Sequence, residues 1–254
     1  MSRPFLFVQL SDPHLGAAWD TEDPSETLAG AIDRVLELEE RPDAVLVTGD
    51  LAEHTADDEY EQARALLGRV DAPLYVLPGN HDDRDALHRH FGVPGAGGAP
   101  VRYAADLGPL RLVALDTTIP GEDGGRLDAE QLAWLEATLA EAPDAPAVVA
   151  MHHPPFAIGI PAWDAIGLPP ADRERLGELL GRHPQVLRVL AGHVHRAITT
   201  ELGGRPAMSV PSTYLQGLLD FRATKLELSD DPPGFAVHTL VDGALVSHIQ
   251  PVRA

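Results

Sequence analysis

Residues 41–53 read RPDAVLVTGDLAE, and this stretch decides the fold class. Its apolar run, Ala44–Val47, is short and has no alternation of polar residues. Such a continuous run is typical of a strand that is buried on both faces of a sheet. The pair Gly49-Asp50 follows, and glycine permits the sharp turn that ends a strand and presents the next side chain. The stretch therefore predicts a buried strand with a carboxylate at its end.

The same pattern recurs along the chain. Five further apolar runs predict strands at Phe5–Leu10, Leu74–Leu77, Leu110–Leu115, Ala147–Met151 and Val186–Leu190. Between them, apolar residues at helical spacing and acidic or capping residues at the start predict helices at Pro24–Glu39, Asp57–Leu67, Asp128–Glu141 and Ala171–Arg182. Alternation of strands and helices predicts an α/β architecture.

The helical spacing stops after about residue 196. Short strand patterns follow at Ile198–Glu201, Pro206–Val210, Thr224–Leu228, Phe235–Thr239 and Ala244–Ile249. They predict a second, mostly antiparallel sheet, which would make the fold a four-layer α/β/β/α sandwich of two mixed sheets flanked by helices. Segments rich in Gly and Pro predict surface loops at Gly92–Pro100, Pro120–Gly125 and Phe156–Pro170. No long linker interrupts the chain, so we expect one domain over residues 1–254.

Composition excludes several classes of protein. The formal net charge of −20 repels nucleic-acid backbones, so a nucleic-acid polymer is not the expected partner. Bound metal ions could still reverse the field locally and admit a small anion. The chain has no cysteine, which excludes disulfides, thiolate catalysis and Cys-rich zinc sites and favours the cytoplasm. No apolar run reaches the ~20 residues that span a bilayer, and the N-terminal MSRPFLFVQL is expected to be a mature strand rather than a signal peptide.

Polar clusters follow five of the predicted strands. In chain order they are Asp12 and His14 in SDPH, Asp50 in GD, Asn80 to Asp82 in GNHD, His152 and His153 in MHHPP, and His193 and His195 in GHVH. Open α/β sheets bind ligands at the carboxyl ends of their strands, so adjacent parallel strands would bring all five clusters to one edge.

The residue types in these clusters indicate metal binding. In Asp12-x-His14 and His193-x-His195 the two side chains lean to the same side of an extended backbone, so each pair can close on one metal or straddle two. Imidazole, carboxylate and amide donors suit Mn, Fe, Zn or Co. Each cluster taken alone is an ordinary turn or strand end, and the combination of five at strand ends carries the prediction.

The blocks SDPH, GD, GNHD, MHHPP and GHVH resemble the five blocks of the calcineurin-like metallophosphoesterases. Within that superfamily the chain is most similar to class III cyclic-nucleotide phosphodiesterases and bacterial glycerophosphodiesterases. The resemblance implies two metal ions. It assigns one to Asp12, His14, Asp50 and His195, and the other to Asp50, Asn80, His152 and His193. Asp50 would then bridge the two, and His153 would lie behind the ligands.

The same resemblance implies a mechanism. Two cations about 3.5–4 Å apart grip the phosphodiester and activate a hydroxide for attack. Asp50 and His81 are the expected catalytic residues, and Asn80 and His81 the expected substrate contacts. His81 would protonate the leaving group or stabilise charge, unless it only packs under the metal loop. Asp82 is expected to cap a helix that begins near Arg84.

The remaining candidates are weaker. Asp116 is expected to be a structural turn residue, and Tyr214 and Gln216 to contact substrate. The other histidines are expected to be superficial or structural; they are His54, His88, His90, His183, His238 and His248.

Three functions follow. The favoured one is hydrolysis of small phosphodiesters, with 3′,5′-cyclic AMP first among them. The alternatives are a glycerophosphodiesterase or broad phosphomono/diesterase, and, from another class, a non-catalytic metal-binding scaffold. A homodimer is implied by the resemblance only.

Overall fold

The computed structural model describes residues 3–252. The helices α1 to α6 are Pro24–Leu36, Asp57–Leu67, Arg84–Phe91, Ala129–Ala140, Pro161–Ala165 and Pro170–Gly181. The strands β1 to β8 are Leu6–Leu10, Ala44–Val47, Leu74–Val76, Tyr103–Asp106, Arg111–Ala114, Thr118–Ile119, Glu122–Gly125 and Ala147–Ala150. The strands β9 to β15 are Val186–Ala191, Ile198–Leu202, Arg205–Ser209, Gln216–Gly217, Leu228–Ser229, Gly234–Val241 and Ala244–Pro251.

Two large mixed sheets form the centre. The first has the order β15-β14-β1-β2-β3, with β1, β2 and β3 parallel, β14 antiparallel to β1, and β15 antiparallel to β14. The second has the order β10-β11-β9-β8-β5-β4, with a parallel centre and antiparallel edges. The six apolar runs that lack alternation all form strands with parallel neighbours in these two sheets, because both faces of those strands are covered.

The side chains of each strand divide between two apolar layers. In β1, Val8 packs with Leu28 of α1 and Tyr60 of α2 on the helical side of the first sheet. Its neighbour Phe7 points the other way and packs with Leu112 of the second sheet. Helices α4 and α6 cover the far face of the second sheet. The layers are therefore helix, sheet, sheet, helix, and the predicted four-layer sandwich is confirmed.

The prediction that the late strands form a second sheet of their own is wrong, except that β12 and β13 form a separate two-stranded sheet. Strands β14 and β15 extend the first sheet, and β10 and β11 extend the second. Their alternating pattern predicts a strand with one covered face, but it carries no information about which neighbour supplies the backbone partners.

Three local predictions are also wrong in part. Of Thr224–Leu228 only Leu228 lies in a strand. The predicted loop Pro120–Gly125 contains β7, which pairs with β6, and the predicted loop Phe156–Pro170 contains α5. In residues 3–252, no helix has the length and apolar character that crossing a membrane requires.

Candidate active site

The site begins where β1 and β2 end. Leu10 pairs with Val47 in register, and the two chains stay side by side beyond that pair. The backbone N–H of Asp12 donates to Gly49 O at 3.0 Å, and that of His14 donates to Asp50 O at 2.9 Å. This pairing brings the first two polar clusters together.

Backbone strain is concentrated at these strand ends. Seven described residues other than glycine have a positive φ, and five of them are candidate ligands: Asp12, His14, Asp50, His193 and His195, with φ between 47° and 70°. Residues other than glycine rarely adopt this left-handed backbone conformation, which costs on the order of 1–3 kcal/mol for each residue. It persists only where the surrounding structure holds the residue in place. The backbone at the candidate ligands therefore places their side chains at the site at a cost to the stability of the fold.

Two glycines allow the close approach of the loops. A Cβ on Gly79 would lie 2.0 Å from Asp50 Oδ1, and a Cβ on Gly192 would lie 2.0 Å from Ser11 Oγ. Glycine is required at both positions because neighbouring chain already fills the space of a side chain.

The five clusters come from both sheets, not from one edge of a single sheet as predicted. Asp12 and Asp50 follow strands of the first sheet, while His152 and His193 follow β8 and β9 of the second. The backbone N–H of His193 donates to Asp12 Oδ1 at 3.0 Å and thereby joins the two sheets at the site.

Four side chains form a first donor group, with one ligand atom from each lying within 4.8 Å of the others: Asp12, His14, Asp50 and His195. The Nε2 atoms of His14 and His195 are 3.1 Å apart. His14 Nδ1–H donates to Glu53 Oε2 at 2.9 Å, and His195 Nδ1–H donates to Leu215 O at 2.8 Å. Both rings thus turn Nε2, the nitrogen opposite this hydrogen bond, inward, which is the orientation a metal ligand needs.

A second donor group lies beside the first. Asn80 Oδ1 is 3.0 Å from His152 Nε2 and 3.0 Å from His193 Nδ1. His152 Nδ1–H donates to Thr48 O at 2.7 Å, so its other nitrogen also points inward. His193 Nε2 is buried without a hydrogen-bond partner among the described residues.

Asp50 belongs to the first donor group and also faces the second. Its Oδ2 is 3.5 Å from His14 Nε2 and 3.2 Å from His152 Nε2. One carboxylate oxygen therefore faces a histidine of each group, while Oδ1 accepts the backbone N–H of His81 at 2.9 Å.

His153 is buried beside His152 but is differently engaged. Its Nε2–H donates to Asp123 O at 3.0 Å, and its Nδ1 accepts the Thr117 hydroxyl at 2.8 Å. Burial, and after it the proximity of His152, lowers the pKa of His153 to about 3. The His153 ring is therefore neutral. Because both of its nitrogens are hydrogen-bonded, neither is free to bind a metal at the centre.

The charges in the centre oppose one another. Burial alone would raise the pKa of Asp50, but His152 and His14 hold it well below its usual range. Burial raises the pKa of Asp12, which His195 and His152 only partly offset. Burial also lowers the pKa of His195 to about 4. Burial would lower the pKa of His152, but Asp50 outweighs it and raises the pKa to about 9. The buried carboxylates therefore attract positive charge and suit a cation.

His81 and Glu53 form a pair that the sequence analysis did not predict. His81 Nδ1 lies 3.2 Å from Glu53 Oε2, so the same carboxylate holds His14 and His81. Burial would lower the pKa of His81, but Glu53 and Asp50 outweigh it and raise the pKa to about 10. His81 is therefore a protonated, partly exposed group at the rim of the centre. The signal for Glu53 is its place three residues after Asp50 in GDLAE.

The prediction that Asp82 caps a helix is wrong. Asp83 is the N-cap of α3. Asp82 instead accepts the backbone N–H groups of Leu51 at 3.1 Å and Gly79 at 2.9 Å, so its carboxylate clamps two ligand-bearing loops together.

Asp116 is a structural residue, as expected. It is fully buried, pairs with Arg84 Nε at 2.7 Å and accepts the N–H groups of Val101 and Thr118. It does not face the centre.

A cavity of about 360 Å³ opens over the two donor groups. Its walls include Trp19, Trp163 and Leu226, from the segments after β1 and β8 and before β13, none of which belongs to a motif. Asn80 and His81 line it, in keeping with their expected contact with substrate. Tyr214 and Gln216 do not, although they were expected to.

The remaining histidines lie outside the donor groups. His54 is exposed and bonds to Glu59 at 2.9 Å. His238 is fully buried, stacked on Phe7 and hydrogen-bonded to Gln9, which makes it structural rather than superficial.

Comparisons with known proteins agree on one family. A family model described as calcineurin-like phosphoesterase matches residues 5–197. The chain is 34% identical to a probable glycerophosphodiester phosphodiesterase, GpdQ, of Arcobacter nitrofigilis, over 92% of this chain and 88% of the relative. It is also 34% identical to the 3′,5′-cyclic adenosine monophosphate phosphodiesterase CpdA of Pseudomonas aeruginosa, over 87% and 82%. A dimetal phosphatase from Danio rerio superimposes with a TM-score of 0.77 at 18% identity, covering 98% and 97% of the two chains, which shows the shared fold.

Proposed function

This chain belongs to the calcineurin-like phosphoesterase family, and from that premise we propose that it is a dinuclear-metal-dependent phosphodiesterase that acts on small phosphodiesters, with 3′,5′-cyclic AMP favoured. The observation that carries the proposal is the position of Asp50. One of its oxygens lies 3.5 Å from a histidine of the first donor group and 3.2 Å from a histidine of the second. A carboxylate in that position can bridge two cations.

The donor sets fit metal ions. The Nε2 atoms of His14 and His195 are 3.1 Å apart and lie next to buried carboxylates, and a cation would satisfy all of these groups at once. We assign one cation to Asp12, His14, Asp50 and His195, and the other to Asp50, Asn80, His152 and His193. Nitrogen and oxygen donors without thiolate favour Mn, Fe, Zn or Co. When bound, such a pair supplies positive charge for the phosphodiester oxygens and acidifies water.

The chain's own residues complete the chemistry. His81 lines the cavity, its ring is held by Glu53 at 3.2 Å, and it can donate a proton to a leaving alkoxide. Glu53 fixes the ring of His81 through Nδ1 and so leaves Nε2 for substrate. The Asn80 amide, which lines the cavity beside His152, orients substrate from the other side.

The cavity wall favours diesters over dianionic monoesters. Its described lining residues include Glu53 and Asp123 but neither Lys nor Arg. A substrate with a single negative charge is repelled less by these carboxylates than one with two. A phosphodiester meets that condition, and both cyclic AMP and glycerophosphodiesters are diesters.

A substrate panel tests the proposal. Purified protein loaded separately with Mn, Fe, Zn or Co is assayed for turnover of cyclic AMP, glycerophosphoethanolamine, bis(p-nitrophenyl) phosphate and p-nitrophenyl phosphate. We expect diesters to be hydrolysed, with the highest kcat/KM for cyclic AMP. Failure on every diester in every metal would exclude the proposal.

Glycerophosphodiesterase activity is the second candidate, because relatives with that name are 34% and 32% identical to this chain. A higher kcat/KM for glycerophosphoethanolamine than for cyclic AMP would favour it. A non-catalytic scaffold predicts no more than one metal per chain and no turnover. We place the protein in the cytoplasm because it lacks cysteine, and expect a homodimer, which light scattering would test.

A further inference from the structure

Trp19 is an exposed tryptophan beside the donor groups, and the proposed chemistry does not use it. Its side chain is 39% exposed, and it lines the cavity. Its ring centroid lies 4.5 Å from that of His14 and 6.3 Å from that of His195. Ligand cavities are lined mainly by apolar and aromatic side chains, and tryptophan offers a large flat face for such a contact.

The ring is held in place from behind. Tyr214, which is buried, stacks on Trp19 with centroids 5.9 Å apart and planes 29° from parallel. The Tyr214 hydroxyl donates to Glu22 O at 3.2 Å, which ties the segment after Trp19 to the same support. A ring fixed in this way loses little conformational freedom when a ligand stacks on it.

The rest of the wall is apolar as well. Trp163 of α5 is buried, and its ring centroid lies 5.9 Å from those of His193 and His195. Leu226 and Leu228 lie along the same cavity. The organic part of a substrate therefore meets flat and apolar surface, while the phosphate meets the donor groups.

The geometry points to Trp19 as a specificity-determining residue, which stacks on a flat nucleobase carried by the phosphodiester. This inference rests on the proposed function for the reaction and adds the part of the substrate that is recognised. Stacking suits an uncharged base, because the described residues that line the cavity include no Lys or Arg to attract a second anionic group.

A matched pair of substrates tests it. Cyclic AMP and methyl riboside 3,5-cyclic phosphate share the sugar and the phosphodiester and differ by the base. For Trp19→Leu we expect KM for cyclic AMP to rise about 5- to 100-fold, with kcat little changed and with KM for the riboside unchanged. Trp19→Phe should recover most of the loss. The control Trp134→Leu removes a tryptophan on α4 that lies over Arg102, away from the cavity, and should change neither constant.

Other outcomes distinguish base stacking on Trp19 from the proposed phosphodiesterase activity. An equal rise of KM for both substrates, or a larger one for glycerophosphocholine, would overturn base stacking. In the second case the ring would bind an ammonium group instead. In parallel, binding of AMP to the metal-loaded protein is measured by the quenching of tryptophan fluorescence. Quenching that Trp19→Leu abolishes, in a protein that hydrolyses no diester, would support the inference while excluding the proposed function. Unchanged metal content and thermal unfolding show that the variant is folded.

Discussion

We expect Asp50 to have a large effect on the proposed centre, because its Oδ2 lies 3.5 Å from a histidine of the first donor group and 3.2 Å from one of the second. Asp12 Oδ1 lies farther from its nearest histidines of the two groups, at 3.8 Å from His195 and 3.9 Å from His152. Asp50→Ala should therefore release both metals together, whereas loss of a ligand to one cation should leave the other bound. Metal content per chain, measured by plasma mass spectrometry after gel filtration, is expected to fall from two toward zero. Asp144→Ala removes an exposed aspartate and is the matched control. Retention of one fully occupied site would contradict a bridging role.

His81 should affect the reaction without affecting the metals. It lines the cavity, and its ring contacts Glu53. Its contact with the Asp50 carboxylate is made by the backbone N–H, which an alanine variant retains. His81→Ala is expected to keep two metals per chain and to lower kcat by about 10²–10⁴-fold if the ring donates a proton. The exposed His248→Ala is the control. The loss should shrink for p-nitrophenyl esters, whose leaving group needs no proton; an equal loss for all leaving groups would argue for charge stabilisation alone.

At the scale of elements, the turns after the strands decide whether the ligands meet. A Cβ on Gly79 would lie 2.0 Å from Asp50 Oδ1 and 2.4 Å from the Asp50 backbone nitrogen. Gly79→Ala must therefore push apart two loops that are otherwise held by Asp82. We expect the free energy of unfolding to fall by about 1–3 kcal/mol and metal affinity to fall with it.

Gly181 offers the comparison for that substitution. It is the last residue of α6, and a Cβ there would meet its nearest neighbour at an ordinary 3.6 Å. Gly181→Ala should be neutral or slightly stabilising, since alanine favours the helix. If both variants unfold at the same denaturant concentration and have the same metal content, the close approach of Gly79 to Asp50 affects neither stability nor metal binding.

The strand ends were predictable from the sequence for a local reason. An apolar run followed by Gly and a ligand, as at Ala44–Val47 and Asp50, contains both the strand and its stop. Glu53 and Trp19 were not predictable in this way, because their roles arise only when loops from separate strands pack together. The assignment of β14 and β15 to the first sheet was missed for the same reason: alternation sets the buried face of a strand and not its partner.

At the scale of the whole molecule, a buried hydrogen-bonded chain joins the two sheets behind the site. Arg188 of β9 donates to Ser247 Oγ at 2.8 Å, and that hydroxyl lies 2.7 Å from His238 Nδ1. His238 Nε2–H then donates to Gln9 Oε1 at 3.1 Å. Gln9 Nε2 donates in turn to Ala191 O at 3.1 Å, directly before the GHVH block. The orientation of the strands that carry the ligands therefore depends on a neutral, buried histidine.

That histidine makes stability depend on pH. Burial, with a smaller contribution from Arg188, lowers the pKa of His238 from 6.5 to about 3. Between these values the unfolded chain binds a proton that the folded chain does not. The contribution of His238 to the free energy of unfolding is therefore fully present above pH 6.5. It is lost as the pH falls toward 3, and the loss is about 2 kcal/mol at pH 5.

In metal-free protein, urea unfolding at pH 7 and pH 5 should show this loss for the wild type. His238→Gln, which carries no charge at either pH, should be less stable at pH 7 but lose about 2 kcal/mol less on acidification. The control His88→Gln, which replaces an exposed histidine on α3, should retain the wild-type loss. Equal losses in the wild type and in His238→Gln would mean that the buried histidine is protonated in the folded protein, and that the junction between the sheets tolerates the charge.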